Sequence, residues 1–339
     1  LIPGGGIWLN TQRPEWNDAN NALVGYGASM VTVYYMKRFL SFFNSVLQET
    51  NLENIAVSTE IITWIHSVKI IISDWQDKGN THIISNQERM EYIFQLGTAF
   101  SEYRTKVYEK GFSGQKELAI ETIFGFINTI INELDNTIQL SEDSNGFYHA
   151  YNTINLDLKS KSADVKHLPT MLEGQVAALS SGQLDVDKVI TLLESLFNSK
   201  LYRADQHSFI LYPVKDTTPF LQKNIIQPQS ISKSSLLTTL LQKKDFTLIE
   251  QDADAQIRFR PFFRNAFDLQ AALHQMKNNE DYRNLVEQEQ GLVLEIFEEV
   301  FDHRNYTGRS GTMFSYEGIG SIYWHMVSKL LLAVQENYF

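Results

Sequence analysis

Apolar residues recur at every third or fourth position over four long stretches of the chain, which is the spacing of one helix face. The stretches run from Tyr26 to Leu47, from Ile61 to Trp75, from Met90 to Val107 and from Ile120 to Ile138. Short polar segments such as 111–114 separate them. Because short connections place neighbouring helices antiparallel, the pattern predicts helical hairpins.

The middle of the chain departs from this spacing. Residues 141–167 are polar, with a strand-like piece from Phe147 to Leu158. Residues 201–263 contain several prolines and the alternating segment Ile257 to Arg260, which is typical of a short strand. We therefore expect 201–263 to be an irregular insertion with short strands.

Helical spacing also predicts shorter helices, at 168–180, 185–198, 265–277, 279–302 and about 321–336. The whole pattern favours an all-α fold in which antiparallel hairpins form an (α/α) barrel or a large part of one. We expect residues 1–339 to be a single barrel-like domain interrupted by the insertion.

Composition limits the classes of partner. The 339 residues include 29 Lys and Arg against 40 Asp and Glu, so the net charge is −11. Such a chain repels phosphate backbones, which argues against nucleic acid. Cysteine is absent, which excludes disulfides and a catalytic thiol. Aromatic residues make up 12%, which suits a thick core or a cleft that stacks on sugars.

Two further features concern the setting of the protein. The chain opens with Leu1 rather than methionine, so we expect either a processed chain or a piece of a larger polypeptide, whose remainder would then be a partner. The most apolar long segment, Leu118 to Ile138, carries several charged and amide side chains and is not a membrane span. We expect a soluble protein, cytoplasmic or periplasmic, with no membrane partner.

The first candidate site is a polar loop before the first long helix. It combines acids, amides and an indole: Glu15, Trp16, Asn17, Asp18 and Asn21. Cleavage of a glycoside needs a proton donor at the leaving oxygen, and a carboxyl group beside a stacking indole suits that role. The alternative is that Asp18 or Asn17 only caps the following helix.

The second candidate site is a glycine-rich loop from His303 to Gly320. Its potential anion ligands are His303, Arg304, Arg309 and Thr312. Tyr316 offers a sugar contact, and Glu317 stands before the last helix, where it could serve as a second catalytic carboxylate. The alternative is that Glu317 is an ordinary helix-start acid and that the arginines are surface charges.

A weaker candidate lies at 171–175, where Glu173 or Gln175 could hydrogen-bond a sugar hydroxyl. Ordinary helix-surface residues are the alternative. No phosphate-binding glycine loop, zinc-protease motif or serine-hydrolase motif occurs, and the histidines lack metal-ligand spacing. We expect no metal and no cofactor.

The segment Trp16-Asn17-Asp18-x-x-Asn21 resembles the Trp-Asn-Asp-Gly-Met-Asn motif of the cellobiose and chitobiose phosphorylases, glycoside hydrolase family 94. The aspartate of that motif is the general acid, so the resemblance implies this role for Asp18. Residues 175–182 are similar to the family's Gln-x-Trp-Ala-x-Leu-Ser-Gly segment, and the family's fold is an (α/α)6 barrel. The chain departs from the motif at Glu15, where the family has glycine, and at 19–20, where it has Gly-Met.

These observations leave three functions open. In an inverting glycoside hydrolase, Asp18 would be the acid and Glu317 the base that activates water. In a glycoside phosphorylase, inorganic phosphate would be the co-substrate and would need no base. In both cases the substrate is an oligosaccharide, contacted by Glu15, Trp16, Asn17, Asn21, Gln175 and Tyr316. The third possibility is a non-catalytic helical domain that binds glycan or supports a larger protein.

Overall fold

The computed structural model describes residues 1–9, 23–50, 52–78, 84–213, 219–302 and 322–339. Helices hold 57% of these residues, and strands pair into four antiparallel sheets. The all-α prediction is therefore wrong, because the fold combines helices with sheets. An (α/α)6 barrel is not shown.

The chain divides into two compact units. Unit 1 comprises Leu1–Val214 and Gly320–Phe339, and unit 2 comprises Lys215–Ile319. The segment 201–263 is divided between them, because its first two strands belong to unit 1 and its later elements to unit 2.

The helices of unit 1 are α1 (Met30–Gln48), α2 (Thr59–Gln76), α3 (Asn86–Lys110), α4 (Ile120–Gln139), α5 (Leu172–Leu179), α6 (Val186–Phe197) and α12 (Trp324–Tyr338). The four long apolar stripes of the sequence are α1 to α4, which confirms those helices. Side chains fix where helices begin: the Ser29 hydroxyl accepts the Thr32 amide of α1, and Ser85 with Glu88 forms a capping box on α3.

A sheet in unit 1 positions the ends of these helices. A four-stranded antiparallel sheet has the order β1 (Ile7–Trp8), β2 (Gly27–Ser29), β5 (Tyr151–Asp157) and β6 (Ser162–His167). The strand predicted within Phe147 to Leu158 is confirmed as β5. Asn152 of β5 pairs with His167 of β6 and with Ala28 of β2.

Two further strand pairs belong to unit 1. They are β3 (Asn54–Ser58) with β4 (Gln115–Ala119), and β7 (Tyr202–Arg203) with β8 (Ser208–Phe209). The β3–β4 pair joins the segment before α2 to the segment before α4. The sequence prediction missed it because its residues are mostly polar or half-exposed and carry no period-two pattern.

The main core of unit 1 lies between α1, α4, α5, α6 and α12. Its fully buried side chains include Met30, Val33, Leu134, Leu172 and Leu196. Beside this core Lys37 of α1 donates to both carboxylate oxygens of Asp135 of α4, at 2.5 and 2.7 Å. Apolar packing and this partly buried ion pair therefore hold the two helices α1 and α4 together.

Unit 2 is built from α7 (Phe220–Lys223), α8 (Pro228–Ser232), α9 (Ser235–Lys243), α10 (Ala266–Met276), α11 (Glu280–Phe301) and the antiparallel pair β9 (Ile249–Gln251) and β10 (Ile257–Phe259). The last of these confirms the strand predicted at 257–260. Phe259 packs edge-on against Phe297, with ring centroids 5.0 Å apart. Glu289 of α11 accepts the backbone amides of Ser235 and Leu236, so it caps α9 from a neighbouring helix.

The two helices of unit 2 predicted from helical spacing, at 265–277 and 279–302, are confirmed as α10 and α11. Among the helices of the described ranges, none combines the length and the apolar character that a membrane crossing requires.

Candidate active site

Almost every residue predicted for the site lies outside the described residues. This holds for the first loop, with Glu15, Trp16, Asn17, Asp18 and Asn21, and for the second loop, with His303, Arg304, Arg309, Thr312, Tyr316 and Glu317. Their roles stay predictions. What the structure describes is the framework to which the loops connect.

The two ends of the first loop are held together in a hairpin stem. The Leu9 amide donates to the Gly27 carbonyl at 2.8 Å, and the Gly25 amide donates to the Leu9 carbonyl at 2.6 Å. The Trp8 indole donates to the Gly25 carbonyl at 3.1 Å. The stem fixes the point at which the chain enters the segment 10–22 and the point at which it returns from it.

An apolar and aromatic cluster surrounds this stem. Its buried members are Leu23, Ala150, Tyr151 and Met171, and Leu9, Tyr26, Val31, Leu168 and Tyr212 pack partly buried against them. Met171 is the residue before α5. The base of the first loop therefore lies against the beginning of α5.

Gln175 is one of two described candidates, with Glu173, and it is buried in α5. Its side-chain oxygen accepts the Tyr148 amide at 2.9 Å, and its amino group donates to the carbonyls of Tyr148 and Met171. These hydrogen bonds connect the first turn of α5 to the residues that precede β5. A contact with substrate stays a prediction, and the observed role is structural.

Gly174 explains how closely α5 approaches that chain. A Cβ atom at this position would lie 2.5 Å from the Tyr148 carbonyl oxygen and 3.0 Å from the Ala150 amide. Only glycine fits such an approach of two backbones. The glycine and the glutamine together fix the direction of the residue before them, Glu173.

Glu173 is the acidic side chain that this framework places beside the stem. It is half-buried, and its carboxyl group hydrogen-bonds the side chain of Tyr151. Burial raises its pKa, while Tyr151 and the ammonium group of Lys329 partly oppose the shift. A carboxyl group accepts hydrogen bonds when it is ionised and can also donate one when it is protonated, and either mode suits recognition of a sugar hydroxyl. The sequence offered only a weak signal here, because an acid in the first turn of a helix is common.

The helix that follows the second loop in the chain is also part of this framework. The helix α12, which follows that loop in the chain, packs on α5, and Asn337 of α12 donates to the Leu179 carbonyl at 2.8 Å. Arg38 of α1 holds α12 through two bonds of 2.7 Å to Glu336. Lys329 of α12 lies 6.0 Å from the ring centre of Tyr35. Both predicted loops thus connect to elements that pack against α5.

Unit 2 carries a separate exposed feature. A shallow groove there is lined by Pro261, Phe262, Phe263, Arg264, Asp268, Ala271, Ala272 and Gln275. Phe262 is 70% exposed, and the Arg260 guanidinium lies 4.9 Å from its ring centre. Arg264 pairs with Asp268 at 3.0 Å. The groove combines an aromatic face with a charged pair.

Comparison with protein-family models relates the chain to glycoside phosphorylases. The matching model is the GH149 phosphorylase insertion domain 2, and it covers residues 217–304, about a quarter of the chain. The match falls within unit 2, while the stem, α5 and Glu173 lie outside it. A search of curated proteins gave no match.

The match bears on the resemblance drawn from the first loop. It supports the relation to glycoside phosphorylases in general, because GH149 is a phosphorylase family. It does not confirm family 94 in particular, which stays a prediction. Since an insertion domain can be non-catalytic, the reaction itself is a matter for proposal.

Proposed function

We propose that this chain is part of an inverting glycoside phosphorylase that cleaves oligosaccharides with inorganic phosphate. The observation that carries the proposal is the match of residues 217–304 to an insertion domain from a phosphorylase family. The acidic loop motif at 16–21 and the framework around α5 agree with it.

In the proposed reaction Asp18 is the general acid. It donates its proton to the glycosidic oxygen as the bond from that oxygen to the anomeric carbon breaks. A phosphate oxygen forms the new bond to the anomeric carbon from the opposite face. The products are a sugar 1-phosphate and an oligosaccharide shortened by one residue, whose new hydroxyl carries the proton from Asp18. Phosphate is already an anion, so no general base is needed.

The remaining residues would bind the two reactants. His303, Arg304, Arg309 and Thr312 would hold phosphate through charge-assisted hydrogen bonds. Trp16 and Tyr316 would stack on sugar rings, and Glu15, Asn17 and Asn21 would bind hydroxyl groups. We add Glu173 to this set, because its half-buried carboxyl group stands beside the stem of the first loop.

The second candidate is an inverting hydrolase in which Glu317 activates water. The general-acid chemistry of Asp18 supports it equally, but the family match does not. The third is a non-catalytic helical domain, which is compatible with a match to an insertion domain alone.

A single assay separates the three. The protein in its complete form is incubated with a panel of oligosaccharides, with and without inorganic phosphate, and sugar 1-phosphate and free reducing sugar are measured. A phosphorylase forms sugar 1-phosphate only when phosphate is present. Reducing sugar released without phosphate would identify a hydrolase, and no turnover of any oligosaccharide would favour the binding domain.

The role of Asp18 is tested in the same assay. Asp18→Asn keeps the shape of the side chain but removes the proton, so we expect turnover to fall by about 10²- to 10⁴-fold. The control is Asp187→Asn, an exposed aspartate in the first turn of α6, which should retain turnover. Unchanged turnover in Asp18→Asn would remove Asp18 from the mechanism.

A further inference from the structure

Two imidazole rings are stacked where the sheet of unit 1 meets the segment before α5. The rings of His149 and His167 lie 4.0 Å apart between centroids and are parallel within 3°. His167 ends β6, and His149 stands two residues before β5. The stack therefore joins the two strands at the end from which the chain leaves for α5.

The surroundings of His149 fit a neutral ring, whereas the hydrogen bond of His167 to Asn152 is compatible with either charge state. The amino group of Asn152 donates to the Gly5 carbonyl at 2.7 Å, so its side-chain oxygen is left to accept from Nδ1 of His167 at 2.8 Å. Nδ1 of His149 is buried and has no partner among the described residues. A proton placed on that nitrogen would find no acceptor there.

The charged groups around the pair mostly oppose protonation. Desolvation is the main cause that lowers the pKa of His149, which is half-buried, and the pKa of the exposed His167 is lowered in the same direction, with Arg89 of α3 adding to the shift. Each ring also disfavours charge on the other, since two like charges at 4.0 Å repel. Asp143 and the Leu168 backbone act in the opposite direction on His149, but burial outweighs them.

We propose that the stacked His149–His167 pair is an acid-sensitive latch, closed while both rings are neutral and opened when the pair takes up protons. The latch adjoins the cluster that holds the stem and α5, because the Leu168 amide donates to the Tyr151 carbonyl at 3.2 Å. Opening would loosen the connection from β6 to α5 and, with it, the placement of Glu173. The latch itself does not depend on the proposed reaction.

The direction with pH follows from the lowered pKa values. A histidine whose pKa is depressed by folding stabilises the folded state above the unfolded pKa of about 6.5, and this stabilisation is lost as the pH falls through the folded pKa. The latch is therefore closed at neutral pH and opens in acid. Between the unfolded and the folded pKa, each unit by which the pH falls favours opening by about tenfold for each histidine, and below the folded pKa there is no further change.

Amide hydrogen exchange of the complete protein tests the latch. Protection factors, corrected for intrinsic exchange at each pH, are measured for 148–172 at pH 7.5 and at pH 5. In the wild type we expect protection of this segment to fall by about tenfold or more relative to the rest of unit 1. In His149→Phe, which keeps a flat ring but cannot be protonated, the fall should vanish. His66→Gln, at an exposed position of α2, should behave as the wild type.

A second measurement covers the case in which His149→Phe does not fold. Imidazole resonances of the wild type are followed against pH, and His149 and His167 should both titrate below the ordinary value of about 6.5. The latch is overturned if either ring titrates at or above that value. It is equally overturned if His149→Phe folds and loses protection on acidification as the wild type does.

Discussion

At the scale of single residues, two of the described carboxyl groups of unit 1 whose pKa is raised by burial lie in different surroundings. Glu133 of α4 is 1% exposed and lies among α2, α3 and α4, close to Gln76 and Tyr92. Glu173 of α5 is half-buried beside the stem of the first loop. The raised pKa of Glu133 bears on the stability of unit 1, and the raised pKa of Glu173 bears on the proposed site.

The contribution of Glu133 to the stability of unit 1 should decrease as the pH rises from acid to neutral. Burial raises the pKa of Glu133 from 4.5 to about 7, so between these values the folded protein keeps a proton that the unfolded chain has lost. This shift lowers the free energy of unfolding by roughly 3 kcal/mol. The loss should be absent in Glu133→Gln, which stays neutral at every pH.

Denaturant unfolding followed by tryptophan fluorescence measures how the free energy of unfolding depends on pH. All five tryptophans lie in sequence ranges of unit 1, so the signal reports that unit. The control is Glu102→Gln at an exposed position of α3, which should follow the wild type. If the free energy of unfolding changes with pH in the same way in the wild type and in Glu133→Gln, the pKa of Glu133 is not raised.

Glu173→Gln should reduce catalysis without unfolding the protein. If the carboxyl group binds a sugar hydroxyl, loss of one charge-assisted hydrogen bond lowers kcat/KM by roughly 10- to 100-fold. Glu102→Gln again serves as the control. An active wild type with an unchanged Glu173→Gln variant would exclude Glu173 from the site while leaving the proposed reaction intact.

At the scale of elements, α5 is the piece that organises the candidate site. Gly174 lets it touch the chain before β5, Gln175 bonds to that chain, and α12 packs along it. The helix was predictable from its apolar residues, but its role was not. Only the structure shows that its first turn adjoins the stem at 23–27.

Gly174→Ala should destabilise unit 1. The new methyl group would meet the Tyr148 carbonyl oxygen at 2.5 Å, and such overpacking costs about 1–3 kcal/mol. The matched control is Gly291→Ala in α11, where a Cβ meets nothing within 4 Å and alanine should stabilise the helix. Calorimetry of both variants checks this, and equal or higher stability of Gly174→Ala would contradict the described contact.

The ion pair between α1 and α4 should be costly to break from one side. Asp135→Asn removes the charged partner of Lys37 from a partly buried pair, and because Gln183 still accepts from the ammonium group we expect a cost of about 1–3 kcal/mol. Replacing both residues by apolar ones should restore part of that loss. Lys188→Gln, which breaks an exposed pair with Glu142, should cost less than about 1 kcal/mol. A similar small cost for Asp135→Asn would show that the pair is not buried in solution.

Element by element, the sequence predicted what depends on local spacing. The long helices α1 to α4 follow from one apolar stripe each. The strands β3 and β4 escaped, because they pair with each other across the intervening α2 and α3 and have few buried side chains. Strand β2 is only three residues long and is buried by pairing with β1 and β5. Such non-local pairing leaves no periodic signal, which is why the all-α prediction failed.

At the scale of the whole molecule, the family match and the candidate chemistry overlap only in part, because the match includes His303 and Arg304 of the second loop but not the motif at 16–21. The matched residues 217–304 belong to unit 2, whereas the stem, α5 and α12 belong to unit 1. The motif at 16–21 was visible in the sequence because its residues are contiguous, and its catalytic role stays a prediction. Glu173 was visible only as a weak candidate, because its surroundings depend on contacts made across unit 1.

The measurement that tests the central claim most directly is ³¹P NMR of the complete protein with oligosaccharides and inorganic phosphate. The account predicts that the inorganic phosphate signal is replaced by that of a sugar 1-phosphate, and that Asp18→Asn abolishes the change while Asp187→Asn does not. Release of free sugar with the phosphate signal unchanged would contradict it.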